Sequence, residues 1–72
     1  MDGTDSAGHR YEEIDISDAE RLRITLIPHQ DWAGGPTLRI QKRLSGGRVV
    51  RGPEVPAVKA DDLIRAIRDV LA

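Results

Sequence analysis

The sequence predicts an α+β fold in which a four-stranded antiparallel β-sheet is followed by one C-terminal amphipathic α-helix, in the order β-β-β-β-α. Two observations predict the sheet, because polar and apolar residues alternate over residues 21–27 and again over 37–44. A third predicts the helix, since the apolar residues of 60–72 recur at helical spacing and form one stripe. A chain of 72 residues accommodates one small domain with a thin core.

The two alternating stretches divide their side chains between an apolar and a polar face. The apolar face carries aliphatic residues and one lysine: Leu22, Ile24, Leu26, Leu38, Ile40, Lys42 and Leu44. The polar face carries most of the cations: Arg21, Arg23, Thr25, Thr37, Arg39, Gln41 and Arg43. We expect the helix to cover the apolar face and to leave the polar face open.

Turns and prolines set the remaining strand boundaries. Pro28 is expected to end the first of these strands, because proline has no backbone N–H to donate to the hydrogen bonds between strands. The glycines of "SGG" predict a two-residue hairpin turn that pairs Leu44 with Val49 and Lys42 with Arg51. Residues 53–58, which contain two prolines, read as a short edge strand. Trp32 lies in the loop 28–36, where it either covers the edge of the core, which we favour, or stacks on a nucleic-acid base.

Charge separates along the chain although the net charge is only −1. Residues 1–20 carry seven acids and one base, whereas residues 21–51 carry seven bases and one acid. We interpret residues 1–13 as a disordered acidic tail and residues 14–72 as a single domain of small sheet plus helix. The alternation of Ile14 and Ile16 with acids is compatible with a short edge strand.

Composition argues against several functional classes. Cysteine is absent, and the two histidines, His9 and His29, lie in unlike settings, so neither a metal site nor a cofactor is expected. None of the three serines lies in a nucleophile elbow, and we expect no enzymatic activity. The sequence has no apolar run of the roughly 20 residues that cross a membrane and no signal peptide. We therefore expect a cytoplasmic protein, associated with the nucleoid or, in a eukaryote, nuclear.

The concentration of positive charge on one hairpin indicates a polyanionic partner. The candidate residues for binding nucleic acid, with single-stranded DNA favoured, are Arg23, Arg39, Lys42, Arg43, Arg48 and Arg51. An alternative is a protein-interaction module, such as a transcription regulator or a phage-encoded adaptor, that docks an acidic partner through the same face. The small size and the edge-like last strand predict a homodimer.

The hairpin "LRIQKRLSGGRVVRG", followed by a short strand and the helix "ADDLIRAIRDVLA", resembles the PC4-like family of positive-cofactor-type transcriptional coactivators. The resemblance covers about residues 21–71, and the spacing from Gly47 to Leu63 fits without a gap. The following positions match the family's hairpin: Ile40, Gly47, Arg48, Val49, Gly52 and Val58. The chain departs from the family at Gln41, which replaces an arginine, and at Pro53-Glu54, which replaces a lysine pair.

This resemblance implies a homodimer that binds single-stranded DNA without strong sequence preference and acts in transcription or DNA maintenance. The acidic N-terminal segment would then resemble the regulatory acidic regions of some family members. Such a segment is expected to compete with phosphates for the basic face at low salt.

Overall fold

The computed structural model describes residues 2–72, which form five strands, two 3₁₀ turns and one helix. The elements are β1 Asp2–Thr4, β2 Arg10–Ser17, β3 Glu20–Gln30, β4 Gly35–Leu44, β5 Val49–Pro56 and α1 Ala60–Leu71. All neighbouring strands are antiparallel, and their spatial order is the chain order. The predicted combination of an antiparallel sheet with one C-terminal helix is confirmed, whereas the sheet has five strands instead of four.

The N-terminal acidic segment belongs to the sheet, so its interpretation as a disordered tail over residues 1–13 is wrong for the described residues 2–13. β1 pairs with β2, and β2 continues into a ladder with β3 that places Glu13 opposite Arg23. The turn between β1 and β2 is closed by the Asp5 carboxylate, which accepts hydrogen bonds from the backbone N–H groups of Ala7 and His9. Two acids of β2 meet bases across this ladder, since Glu13 lies opposite Arg23 and Asp15 lies opposite Arg21.

Pro28 does not end β3, which continues to Gln30. The pairing of β3 with β4 is irregular between Ile27 and Gln30, and the pairing of β3 with β2 already ends at Thr25. Pro28 thus lies where the ladder is interrupted, and its missing N–H costs no regular hydrogen bond.

The β4–β5 hairpin is shifted by one residue from the predicted register. Arg43 lies opposite Val49 and Gln41 lies opposite Arg51. The turn accounts for the shift, because the Leu44 N–H donates to the Arg48 carbonyl and three residues, 45–47, form the loop. Gly46 and Gly47 have φ of +87° and +85°, a left-handed conformation that glycine adopts readily. The predicted pairing of Lys42 with Arg51, which would set two like charges opposite each other, is therefore avoided.

The register defines two faces of the sheet. The polar face comprises Tyr11, Glu13, Asp15, Arg21, Arg23, Thr25, Ile27, Thr37, Arg39, Gln41, Arg43, Val49, Arg51, Glu54 and Pro56. The apolar face comprises Ile14, Leu22, Ile24, Leu26, Leu38, Ile40, Lys42, Leu44, Val50 and Val55, together with Glu12 and Glu20. Among residues 2–72, the buried ones are Glu13, Thr25, Ile27 and Thr37, all on the polar face.

The helix does not cover the apolar face, contrary to the sequence-based expectation. α1 contacts chiefly the preceding 3₁₀ turn, Ala57–Lys59, which itself contacts β4, and no residue of α1 is buried. No helix formed by residues 2–72 has the length and apolar character that crossing a membrane requires. The amphipathic stripe of α1 is thus correctly predicted, but the strands of its own sheet do not cover it.

A glycine at the irregularity of β5 sets how closely β4 and β5 approach. A Cβ at Gly52 would lie 2.5 Å from the carbonyl oxygen of Ile40, and a backbone atom cannot rotate away. We expect Gly52→Ala to lower the free energy of unfolding by about 1–3 kcal/mol, the usual cost of overpacking. Urea denaturation would measure this loss. Gly35→Ala is the matched control, because a Cβ there has no atom within 4 Å; equal losses in the two variants would contradict the steric explanation.

Candidate nucleic-acid interface

The centre of the polar face is a buried carboxylate that holds three arginines. The side chain of Glu13 is 2% exposed, and its Oε2 accepts hydrogen bonds from Arg23 Nε at 2.8 Å and Arg43 Nε at 2.9 Å. Its Oε1 accepts a bond from Arg43 Nη2 at 3.2 Å and lies 3.7 Å from Arg21 Nη1. The antiparallel register brings this group together, because it sets Glu13 opposite Arg23 and Arg21 opposite Arg43.

The arginines keep Glu13 ionised. Burial alone would raise the pKa of this carboxyl, but the hydrogen bonds and charges of Arg43 and Arg23 outweigh burial and lower the pKa below its usual value. The hydrogen bonds that Arg43 donates to Glu13 in turn raise the pKa of Arg43. The cluster is therefore a fixed arrangement of charges, and Arg23 and Arg43 are already partnered in the free protein.

Arg23 is held on a second side by an aromatic ring. Its guanidinium carbon lies 3.9 Å from the centroid of the Tyr11 ring, which is a cation–π arrangement. Tyr11 and Glu13 are neighbours on the polar face of β2. Arg23 is thus fixed between a ring and a carboxylate.

A second carboxylate, Glu54, organises the other end of the polar face. Its Oε1 accepts hydrogen bonds from Thr37 Oγ1 at 2.6 Å and from Gln30 Nε2 at 3.1 Å. Its Oε2 lies 3.5 Å from Arg39 Nε. The Thr37 hydrogen bond is the largest cause that lowers the pKa of Glu54, against the effect of burial, and the charge of Arg39 lowers it further.

The structure separates the six predicted site residues into groups. Arg23, Arg39, Arg43 and Arg51 share the polar face. Lys42 lies on the opposite, apolar face, as the alternation predicted, and its Nζ is 3.0 Å from Glu20 Oε2. Arg48 lies at the hairpin, just before β5. Within residues 2–72, Arg48 and Arg51 form no ion pair.

The residues that the sequence analysis missed are Tyr11, Glu13 and Glu54. Their signal is the period of two: Glu13 alternates with Ile14 in "EEIDIS" and therefore faces away from the apolar side. With Arg21 and Asp15 included, the polar face carries five arginines and three carboxylates, a net charge of +2.

Beside the Glu54 cluster lies a polar pocket of about 260 Å³. Its lining comprises Arg39, Gln41, Arg51, Gly52 and Glu54. Two guanidiniums and one amide offer donors around this pocket, against one carboxylate that Thr37 and Gln30 already engage. The arrangement is suited to an anionic oxygen, because Arg51 brings an unpaired charge to it.

Trp32 lies in the 3₁₀ turn Asp31–Ala33 and is 60% exposed, so the favoured interpretation of this residue as part of the core is wrong. Next to it, His29 Nε2 and Asp31 Oδ1 form an exposed contact of 3.0 Å. Base stacking by Trp32 remains a prediction. No group of three or more potential metal ligands occurs in the described part of the chain.

Comparison of the chain with models of protein families, with curated proteins and with solved structures found no match. The resemblance to the PC4-like family therefore remains a prediction that rests on the hairpin and helix residues alone.

Proposed function

We propose that this protein is a nucleic-acid-binding domain that contacts the phosphate backbone of single strands through the polar face, with a binding and not a catalytic role. One observation carries the proposal: Arg51 and Arg48, which have no ionic partner among the described residues, flank a face that is already positive. Phosphates are the ligands that such cations recruit most generally, because each contact releases condensed counterions.

The partnered arginines have a different role in this proposal. Glu13 and Glu54 hold the side chains of Arg23, Arg43 and Arg39 in fixed positions. The hydrogen-bond donors of these guanidiniums are therefore already oriented, and the side chains lose little conformational freedom when a ligand binds. Arg48 and Arg51 supply the charge that a phosphate neutralises. Lys42 has no part in the site, because it lies on the apolar face.

A single strand is favoured over a duplex for two reasons. The exposed indole of Trp32 offers a face on which an unpaired base can stack. The polar face is part of a five-stranded sheet, whereas the major groove of a duplex admits an α-helix or a two-stranded ribbon. Contacts of this type favour the backbone over base edges and predict weak sequence preference. A role in transcription remains a proposal that rests on the PC4-like resemblance.

The salt dependence of binding tests the proposal. We expect the logarithm of the affinity for a single-stranded oligonucleotide to fall with the logarithm of salt concentration, by about 0.7 per phosphate contact. Arg48→Ala combined with Arg51→Ala should reduce that slope by about 1.4, because two contacts are lost. Fluorescence anisotropy over a range of salt concentrations measures the slope.

Two controls sharpen this titration. Arg68→Ala removes the same charge from the helix and should leave the slope unchanged. Lys42→Ala removes a cation on the opposite face and should also leave the slope unchanged, although it breaks the ion pair with Glu20. Absence of binding by the wild type at low salt would refute the proposal.

The alternative is a protein-interaction module that docks an acidic partner through the same polar face. It is favoured by the extent to which Glu13 and Glu54 neutralise that face, which leaves a charge of only +2. A folded wild-type protein that ignores oligonucleotides at low salt but binds an acidic peptide, with loss on Arg51→Ala, would support it.

A further inference from the structure

The single chain exposes more surface than a compact protein of its mass. Its accessible area is 5402 Å², whereas a folded monomer of 7.9 kDa is expected to expose about 4,400 Å². Its radius of gyration is 13.0 Å, against about 11 Å for a compact chain of 72 residues. The excess area, about 1,000 Å², is close to the roughly 800 Å² that each partner buries in a stable protein interface.

Two aliphatic surfaces contribute to the exposed area. One is the apolar face of the sheet, where Ile14 is 57% exposed and Leu26 and Val50 are also exposed. The other is the helix stripe, which we define as Leu63, Ile64, Ile67, Val70 and Leu71. Exposure of the stripe increases along α1 and reaches 84% at Val70 and 80% at Leu71. Contiguous apolar patches of this kind mark interaction sites.

We propose that a second copy of the chain covers both surfaces in a two-fold homodimer, in which α1 of each copy lies across the apolar sheet face of its partner. The two surfaces are of the same aliphatic type, and their sizes match. A helix of 12 residues is about 18 Å long, and five strands span about 19 Å. One contact, repeated by the two-fold axis, covers all four surfaces.

Other symmetric arrangements cover less of the exposed aliphatic area. Sheet-to-sheet packing leaves both helix stripes in water, and helix-to-helix packing leaves both sheet faces in water. Two ion pairs lie near these surfaces, since Lys42 contacts Glu20 at 3.0 Å and Arg65 contacts Asp62 at 3.1 Å. The proposed contact also leaves the polar face open, and it does not depend on nucleic acid.

Sedimentation equilibrium of the full chain without nucleic acid tests the assembly. The wild type should sediment with twice the mass of 7.9 kDa. Ile67→Asp combined with Val70→Asp should reduce the mass to that of one chain or raise the dissociation constant of the dimer at least tenfold. Arg68→Asp, which places the same charge on α1 outside the stripe, should remain dimeric. A folded wild-type monomer at high micromolar concentration would overturn the proposal.

Crosslinking tests the arrangement and does not require that a disruptive variant fold. The chain has no cysteine, so Ile67→Cys on α1 and Leu26→Cys on the sheet face introduce unique thiols. When the two variants are mixed, a short bismaleimide should join one chain of each kind. Crosslinks formed only between two Ile67→Cys chains, or only between two Leu26→Cys chains, would overturn the helix-on-sheet arrangement. A failure of oligonucleotide binding would leave both outcomes unaffected.

Discussion

Glu13→Gln should lower the free energy of unfolding by about 3 kcal/mol, which is the loss expected when strong hydrogen bonds to a charged group are removed. Glutamine keeps the shape of glutamate but carries no charge, and its amide nitrogen donates where the arginines need an acceptor. Arg23 and Arg43 then lose their ionic partner, while Arg21 adds a third positive charge nearby. Because these arginines are partly exposed, water compensates for part of the loss, and the effect stays below that of a fully buried pair. Urea denaturation at a fixed protein concentration measures it.

Asp15→Asn is the matched control for this prediction. Asp15 lies on the same face and contacts Arg21 Nε at 3.0 Å, but its side chain is 80% exposed. Exposed ion pairs contribute about 0–1 kcal/mol, so this variant should be nearly as stable as the wild type. Equal losses from the two variants would contradict a special role of the buried carboxylate.

Glu13→Gln also separates the structural and binding roles of the polar face. The variant raises the net charge of that face by one and releases Arg23 and Arg43 from their carboxylate. Under conditions where it remains folded, its affinity for a single-stranded oligonucleotide should increase at low salt. Unchanged affinity would indicate that bound phosphates do not contact the Glu13 cluster.

The fold is largely predictable where a single periodicity dominates the sequence. The alternation of Leu22, Ile24 and Leu26 fixes both a strand and its faces, and the spacing of Leu63, Ile67 and Val70 fixes the helix within one residue of its end. β1 and the first half of β2 were missed, because the acidic composition of residues 1–13 was given more weight than the alternation that continues from Ile14. Local composition is a poor guide where acids find bases on the neighbouring strand, as Glu13 does with Arg23.

Two other features depend on information that the sequence pattern does not contain. The hairpin register depends on whether Gly46 and Gly47 form the whole loop or share it with Ser45, and glycine is compatible with both loop lengths. The helix stripe shows that α1 needs an apolar partner but does not identify that partner. The candidate site was predicted in part: Arg23, Arg39 and Arg43 were placed on the polar face, where the structure has them, whereas Arg51 was paired with Lys42 on the other face. The carboxylates that hold the three correctly placed arginines were not identified.

Acid should unfold this protein mainly through Glu13 and Glu54. The folded protein lowers the pKa of both carboxyls below the value of 4.5 that an unperturbed glutamate has. Between 4.5 and the lower folded pKa, the unfolded chain binds more protons than the folded one. The stability that these groups contribute is therefore fully present above pH 4.5 and is lost as the pH falls through their folded pKa. Each group changes the free energy of unfolding by up to about 1.4 kcal/mol per pH unit within that interval.

A series of variants assigns this pH dependence to particular groups. Urea midpoints between neutral pH and about pH 3 should fall less steeply for Glu13→Gln and for Glu54→Gln than for the wild type. Thr37→Val should also flatten the curve, because it removes the 2.6 Å hydrogen bond that is the largest cause of the lowered pKa of Glu54. Thr25→Val is its control, a buried threonine of the same face that makes no hydrogen bond to Glu54. It should keep the wild-type slope even if it changes stability. Identical slopes in Thr37→Val, Glu54→Gln and the wild type would show that Glu54 does not link folding to protonation. The acid sensitivity would then have to arise at Glu13 or at the other carboxyls whose pKa the folded protein lowers, Asp5 and Glu20.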